Sequence, residues 1–94
     1  MRLIYSEPAL EDLKRLKAFI DQNNADAATR VTAGLVERIE KLLIFPQMGK
    51  PIAFAPDPNV IRDMVLGKYI VRYAYRQDVI AILRIWHHAE QRDR

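Results

Sequence analysis

The segment from Pro46 to Asn59 divides this chain more sharply than any other feature. It holds four of the five prolines, Pro46, Pro51, Pro56 and Pro58, together with Gly49. Proline lacks the amide hydrogen that a helix interior or an inner strand needs, so this stretch reads as a loop. The residues before it follow a helical period and those after it have strand composition. The loop therefore crosses from helices to sheet.

On the N-terminal side, Arg2 to Tyr5 reads as a short strand and Ser6-Glu7-Pro8 as a helix start. Ser6 is suited to cap unpaired N–H groups, and Pro8 sits where no hydrogen bond is lost. Ala9, Leu10, Leu13, Leu16, Phe19 and Ile20 then form an apolar stripe, with Asp12, Lys14, Arg15 and Lys17 at the remaining positions. The helix is expected to stop near Gln22-Asn23-Asn24. Asp26 is suited to cap a second helix, whose apolar positions are Val31, Leu35, Ile39, Leu42 and Leu43 and which Pro46 ends. So short a break between two amphipathic helices predicts an antiparallel hairpin.

On the C-terminal side, Val60–Val65, Tyr69–Arg76 and Val79–Trp86 are rich in β-branched and aromatic residues. They are separated by turns at Leu66-Gly67-Lys68 and Gln77-Asp78. The order β-α-α-β-β-β predicts an α+β domain in which the helical hairpin packs on a curled, mostly antiparallel, four-stranded sheet. Ninety-four residues support one core, so residues 1–94 are expected to form a single domain, with the polar tail 89–94 frayed. The absence of cysteine excludes a disulfide scaffold and thiolate chemistry. The opening Met1-Arg2-Leu3-Ile4-Tyr5 reaches Glu7 too soon for a secretory leader, and no apolar run is long enough to span a membrane. A cytoplasmic address is the expectation. The net charge of +3 suits an anionic partner or simple solubility.

Register decides which of the arginines meet. If Leu66-Gly67-Lys68 is a three-residue loop, Val65 pairs with Tyr69 and Arg62 stands opposite Arg72, while Asp63 points to the other face. Like charges placed opposite each other are costly unless an anion lies between them, so this pair would be an anion-binding or target-facing site. A two-residue Gln77-Asp78 turn puts Arg72 on the face of Leu83 and not of Arg84, and one extra residue would reverse that. Tyr69, Tyr73 and Tyr75 share one face, as core residues would. Trp86 fits either the core or an exposed anchor. His87 and His88 fit either a surface pair or an acid–base pair. Neither histidine has metal-ligand spacing with another His or Cys, so neither a metal nor a cofactor is expected. Lys14, Arg15 and Lys17 form a solvated helix face that could also receive acidic residues of a partner.

Several stretches resemble a known family. Tyr5-Ser6-Glu7-Pro8-Ala9-Leu10-Glu11-Asp12-Leu13, Leu42 to Pro51 with its P-x-x-G-K-P core, Val60 to Met64 with Gly67 to Tyr73, and Ile82-Leu83-Arg84-Ile85-Trp86-His87 are similar, in order, to signatures of the RelE/ParE toxins, and the ending is similar to the ParE-like branch. The resemblance implies the toxin half of a type II toxin–antitoxin system, of the kind linked to plasmid stabilisation. Such a toxin arrests growth when released and forms a hetero-oligomer with a cognate antitoxin. The ParE-like branch binds and inhibits DNA gyrase without chemistry; the RelE-like branch consists of ribosome-dependent endoribonucleases that cut mRNA. RelE-type nucleases place Arg after the hairpin tyrosine and a cationic pair after the last strand, where this chain has Ile70 and Ala89-Glu90. The gyrase reading is therefore preferred. It implies target contacts from Arg62, Arg72, Arg84, Trp86, His87 and Arg92, with Arg94 beside them. The nuclease alternative would draw on Arg62, Arg84, His87 and His88. Leu13, Lys14 and Lys17 are the candidates for antitoxin contact.

Overall fold

The structure is a computed structural model and describes residues 1–22, 24–53 and 60–90. Strand β1 (Arg2–Tyr5) leads into helix α1 (Glu7–Asp21). Helix α2 (Ala25–Glu40) follows and is extended by a 3₁₀ turn over Lys41–Leu43. The sheet is completed by β2 (Lys50–Pro51), β3 (Ile61–Leu66), β4 (Tyr69–Arg76) and β5 (Val79–His87). The strand order is β1-β5-β4-β3-β2; β1 runs parallel to β5 and every other pair is antiparallel. This is the predicted α+β arrangement with one addition. A two-residue strand inside the proline loop pairs Lys50 with Asp63 and Pro51 with Arg62. At a sheet edge Pro51 breaks no inner ladder, so a proline is tolerated there.

Local chemistry accounts for the helix starts. The Ser6 hydroxyl accepts the Ala9 N–H at 3.1 Å and donates to the Leu83 carbonyl at 3.0 Å, which caps α1 and ties its start to β5. Helix α2 is capped by Asn24, whose side chain accepts the Ala27 N–H at 3.1 Å. Asp26, expected to be the cap, lies instead in the first turn, where a carboxylate favours the helix dipole.

Leu16, Leu35, Ile39 and Leu42 from the helices meet Met64, Val71, Tyr73, Ile80, Ile82 and Ile85 from one face of the sheet to form the core. Tyr69 and Tyr75 pack against that cluster. The apolar stripe read on α1 is only partly inside. Leu10 and Phe19 are 45% and 65% exposed, whereas Asp12, read as an outer residue, is 1% exposed.

Two register findings reposition the arginines. The β3–β4 turn is the two-residue pair Gly67-Lys68, with Gly67 at φ 61°, so Leu66 pairs with Tyr69. That places Arg62 opposite Tyr73 and Asp63 opposite Arg72, which corrects the expected Arg62–Arg72 pair. The Gln77-Asp78 turn does have two residues, both with positive φ, and Arg76 pairs with Val79. Between Tyr73↔Ile82 and Arg72↔Arg84, however, the register shifts and leaves Leu83 without a partner. This bulge restores the Arg72–Arg84 pairing that an unbroken ladder would forbid.

Candidate functional site

Asp12 organises the bulge. Just past the shift in register, beyond the end of the β1 pairing at Ile82, the Asp12 carboxylate accepts the Ile85 N–H at 2.8 Å. The same carboxylate accepts two bonds from Arg84, Nε at 2.8 Å and Nη2 at 3.1 Å, and one from Arg15 Nη1. Burial would push this carboxyl up, but Arg84, the Ile85 N–H and Arg15 together outweigh it and hold it below the ordinary carboxylate range. The paired carboxylate in turn raises the Arg84 guanidinium. Arg15 continues the network to Glu90 at 3.1 Å, and Glu90 accepts the His87 N–H at 2.8 Å. Helix α1 and the end of the sheet are thus joined by one chain of charged hydrogen bonds.

His87 lies opposite Tyr69, with ring centroids 5.3 Å apart and edge to face, and the His88 ring stacks on it at 4.7 Å. His87 Nδ1 accepts the Ala89 N–H at 3.0 Å, so in the neutral ring the proton sits on Nε2, which can donate but not accept. Beside this pair a groove of about 430 Å³ opens between α1 and the strand ends. Leu16, Phe19, Ile20, Tyr69, His87 and Ala89 are among its lining residues.

Each of the three arginines named as target contacts has partners within the chain. Arg72 holds Asp63 through two bonds, Nε to Oδ1 at 2.8 Å and Nη2 to Oδ2 at 3.0 Å, and lies 5.2 Å over the Trp86 ring. Arg84 is paired with Asp12. Arg62 donates Nη1 to the Gly49 carbonyl at 2.8 Å, and its Nε is buried without a hydrogen-bond partner among the described residues. Trp86, left open between core and anchor, is 5% exposed and offers little area to a partner. Arg92 and Arg94 lie outside the described residues. Of the candidate antitoxin contacts, Leu13 packs against the core, Lys14 is exposed with Glu11 at 3.7 Å, and Lys17 is exposed. Asp12 and Glu90 were missed as candidates, and Arg15, read as part of a solvated helix face, is instead paired with both. Their signal was a carboxylate one turn from Ala9 and Leu16 on the buried stripe.

A second cluster centres on Tyr73. Its hydroxyl donates to the Pro46 carbonyl and accepts the Gly49 N–H, both at 2.8 Å. Burial pushes its ionisation up, while the Gly49 N–H and Arg62 pull the other way with less effect. A Cβ on Gly49 would come within 2.8 Å of the Tyr73 ring and 2.9 Å of the Asp63 carbonyl, so only glycine fits. Arg62 thus serves here as a strut for the loop.

Among the described residues, no group of three or more His, Cys, Asp or Glu is placed to hold a metal ion, and no helix is long and apolar enough to cross a membrane. Residues 3–92 match the model of a family described as the ParE toxin of the type II toxin–antitoxin system parDE. The chain belongs to the ParE toxin family. A Sinorhizobium fredii protein named "Putative toxin Y4kP" is 30% identical to this ParE-family chain over 92 residues, which is 96% of the chain and 91% of the relative. Among solved structures, one from the chromosomal ParDE system of P. aeruginosa superposes with a TM-score of 0.76 at 20% identity, covering 93% of this chain and 95% of that one. One from the RelBE2 toxin–antitoxin complex of Mycobacterium tuberculosis gives 0.62 at 18% identity, covering 95% and 92%. At these identities the two structures are evidence of a shared fold. The sheet, the helical hairpin and their order in this ParE-family chain are the fold of those toxins.

Proposed function

We propose that this ParE-family toxin acts by binding DNA gyrase and not by cutting RNA, and that a cognate antitoxin holds it inactive in a hetero-oligomer. The observation that carries this reading is that Arg62, Arg72 and Arg84 are all engaged by groups of the chain itself. A ribonuclease must present cations to the phosphate at which negative charge develops, a stabilisation of roughly several kcal/mol. Here Arg72 and Arg84 are each committed to a carboxylate through two hydrogen bonds, and Arg62 is committed to a backbone carbonyl. At the strand end where a phosphate would approach His87, Glu90 adds a carboxylate. His87 itself has its one acceptor nitrogen engaged by Ala89, which makes it a poor general base. Such a surface is suited to recognition of a protein through Tyr69, His87, His88 and the groove beside Phe19. A gyrase target implies action in the cytoplasm.

The stacked His87–His88 pair favours a second reading, a ribosome-dependent mRNA endoribonuclease in which His88 supplies the base. One paired experiment separates the two. Purified protein is added to a gyrase supercoiling reaction and, in parallel, to a translating extract whose mRNA ends are mapped. The gyrase reading expects slowed supercoiling with intact mRNA. Codon-positioned cuts that disappear in His87→Ala or His88→Ala, with supercoiling unaffected, would replace it with the nuclease reading.

A further inference from the structure

The loop after α2 displays apolar side chains to solvent in an unusual run. Leu43, Ile44 and Phe45 are 39%, 70% and 61% exposed, and Met48 is 44% exposed. With Pro46, Gln47 and Tyr75, the residues from Ile44 to Met48 line an open groove of about 480 Å³. Consecutive exposed apolar residues work against solubility, and a contiguous patch of them marks an interaction surface.

This loop is also held in a single shape. The Ile44 and Phe45 N–H groups both donate to the Lys41 carbonyl, and Met48 N–H donates to Phe45. Tyr73 bridges Pro46 and Gly49 from below, while Arg62 fixes the Gly49 carbonyl. Buried tyrosine and arginine groups thus hold a surface whose own side chains remain outside. Rigid presentation lowers the ordering cost of binding, which strengthens an interface without adding contacts.

The charge around the loop selects the occupant. From Arg38 to Lys50 the segment carries Arg38, Lys41 and Lys50 against the single acid Glu40, whose field acts on Tyr5. Arg76 follows Tyr75 at the end of β4, with Asp78 in the turn beyond it. Lys41, Lys50 and Arg76 are exposed, and none makes an ion pair among the described residues. Lys50 stands opposite Asp63 in the β2–β3 ladder, so Lys41 and Arg76 are the cations next to the groove-lining segments without an acid as ladder partner. An apolar groove with such basic neighbours fits a peptide segment whose apolar residues alternate with carboxylates. The groove also lies at the opposite end of β4 from His87. Tyr75 lies six positions beyond Tyr69, a span of about 20 Å along an extended strand.

We propose that the Ile44–Met48 loop is a docking surface for an acidic, amphipathic segment of the antitoxin, and that this contact anchors the complex without covering the His87 end. The inference rests on the antitoxin-pair reading above. The probe is the purified product of the reading frame adjacent to this chain's gene. Its affinity is measured by calorimetry for the wild-type chain and for Ile44→Ser/Phe45→Ser, whose wild-type side chains are exposed; thermal melts establish that the variant folds. The expected result is tight binding by the wild type and a loss of about thirtyfold or more in the double variant, the range of an interface hot spot. Lys41→Glu should also weaken binding and flatten its salt dependence, while inhibition of supercoiling by the double variant stays at the wild-type level.

Failure to bind the wild type would remove the antitoxin-pair reading and this surface with it. Unchanged affinity in the double variant would overturn the docking surface alone. Loss of supercoiling inhibition in the folded double variant would also overturn it, making the loop part of the target-facing surface. Wild-type self-association that the double variant abolishes, with antitoxin affinity unchanged, would assign the groove to a second copy of the chain.

Discussion

Replacing Asp12 should damage this fold more than any exposed charge could. Its side chain is 2% exposed and receives four hydrogen bonds, from Arg15, from Arg84 twice and from the Ile85 backbone. In Asp12→Ala the Ile85 N–H is left buried without an acceptor, a loss of about 1–3 kcal/mol. Arg84 and Arg15 are 38% and 41% exposed, so both can rehydrate, and their share of the ion pairing is discounted to about 1 kcal/mol or less each. The expected loss is about 2–4 kcal/mol, a large part of the roughly 5–15 kcal/mol that such a domain possesses. Asp12→Asn keeps an oxygen for Ile85 and should lose about half as much.

The pH dependence has a definite sign. The native carboxyl is held below its ordinary value of 3.8, so its stabilisation is fully present above that value and is lost as pH falls through the native one. Urea unfolding of wild type and Asp12→Asn, followed by circular dichroism from neutral pH to pH 2, should show curves that converge on acidification. A cost below about 1 kcal/mol for Asp12→Ala, or a wild-type acid dependence that persists in Asp12→Asn, would refute the central role assigned to this carboxylate.

Gly49→Ala should cost about 1–3 kcal/mol in denaturant unfolding, because the added methyl meets the Tyr73 ring and the Asp63 carbonyl and neither can move without disturbing the sheet. Tyr73→Phe should cost about 1–3 kcal/mol, since it removes the acceptor for the Gly49 N–H and the donor for the Pro46 carbonyl. Because burial raises the Tyr73 ionisation, wild-type stability should decline as pH rises above 10.0, and Tyr73→Phe should weaken that decline. Tyr5→Phe provides the contrast. The Tyr5 hydroxyl is buried with no hydrogen-bond partner among the described residues, so its removal should leave the melting temperature unchanged or raise it.

The parts of this molecule legible in its sequence are those in which local periodicity and tertiary packing agree. The stripe through Leu35, Ile39 and Leu42 and the β-branched strands around Val71, Ile80 and Ile82 meet that condition, and all of them are core. The arginine placement depended instead on single-residue events. A turn of two residues rather than three moved Arg72 from Arg62 to Asp63, and with it changed an expected anion site into an internal ion pair. The Leu83 bulge then brought Arg84 beside Arg72, although the expected and observed Gln77-Asp78 turns have the same length. No local composition signal marks a bulge inside Ile82-Leu83-Arg84-Ile85. What does mark it lies more than seventy residues earlier, in Asp12, between Ala9 and Leu16 on the buried face of α1. A carboxylate at such a position requires cations and an unpaired N–H to meet it, and β5 supplies the second beyond the end of its β1 pairing while its bulge turns Arg84 toward the first. The bulge and the acid are therefore one feature written in two places. That same feature binds α1, through Arg15 and Glu90, to the strand end where His87 stands. The His87 end of the sheet is set in this way by the seat of the first helix, so changes on α1 far from His87 should be felt there.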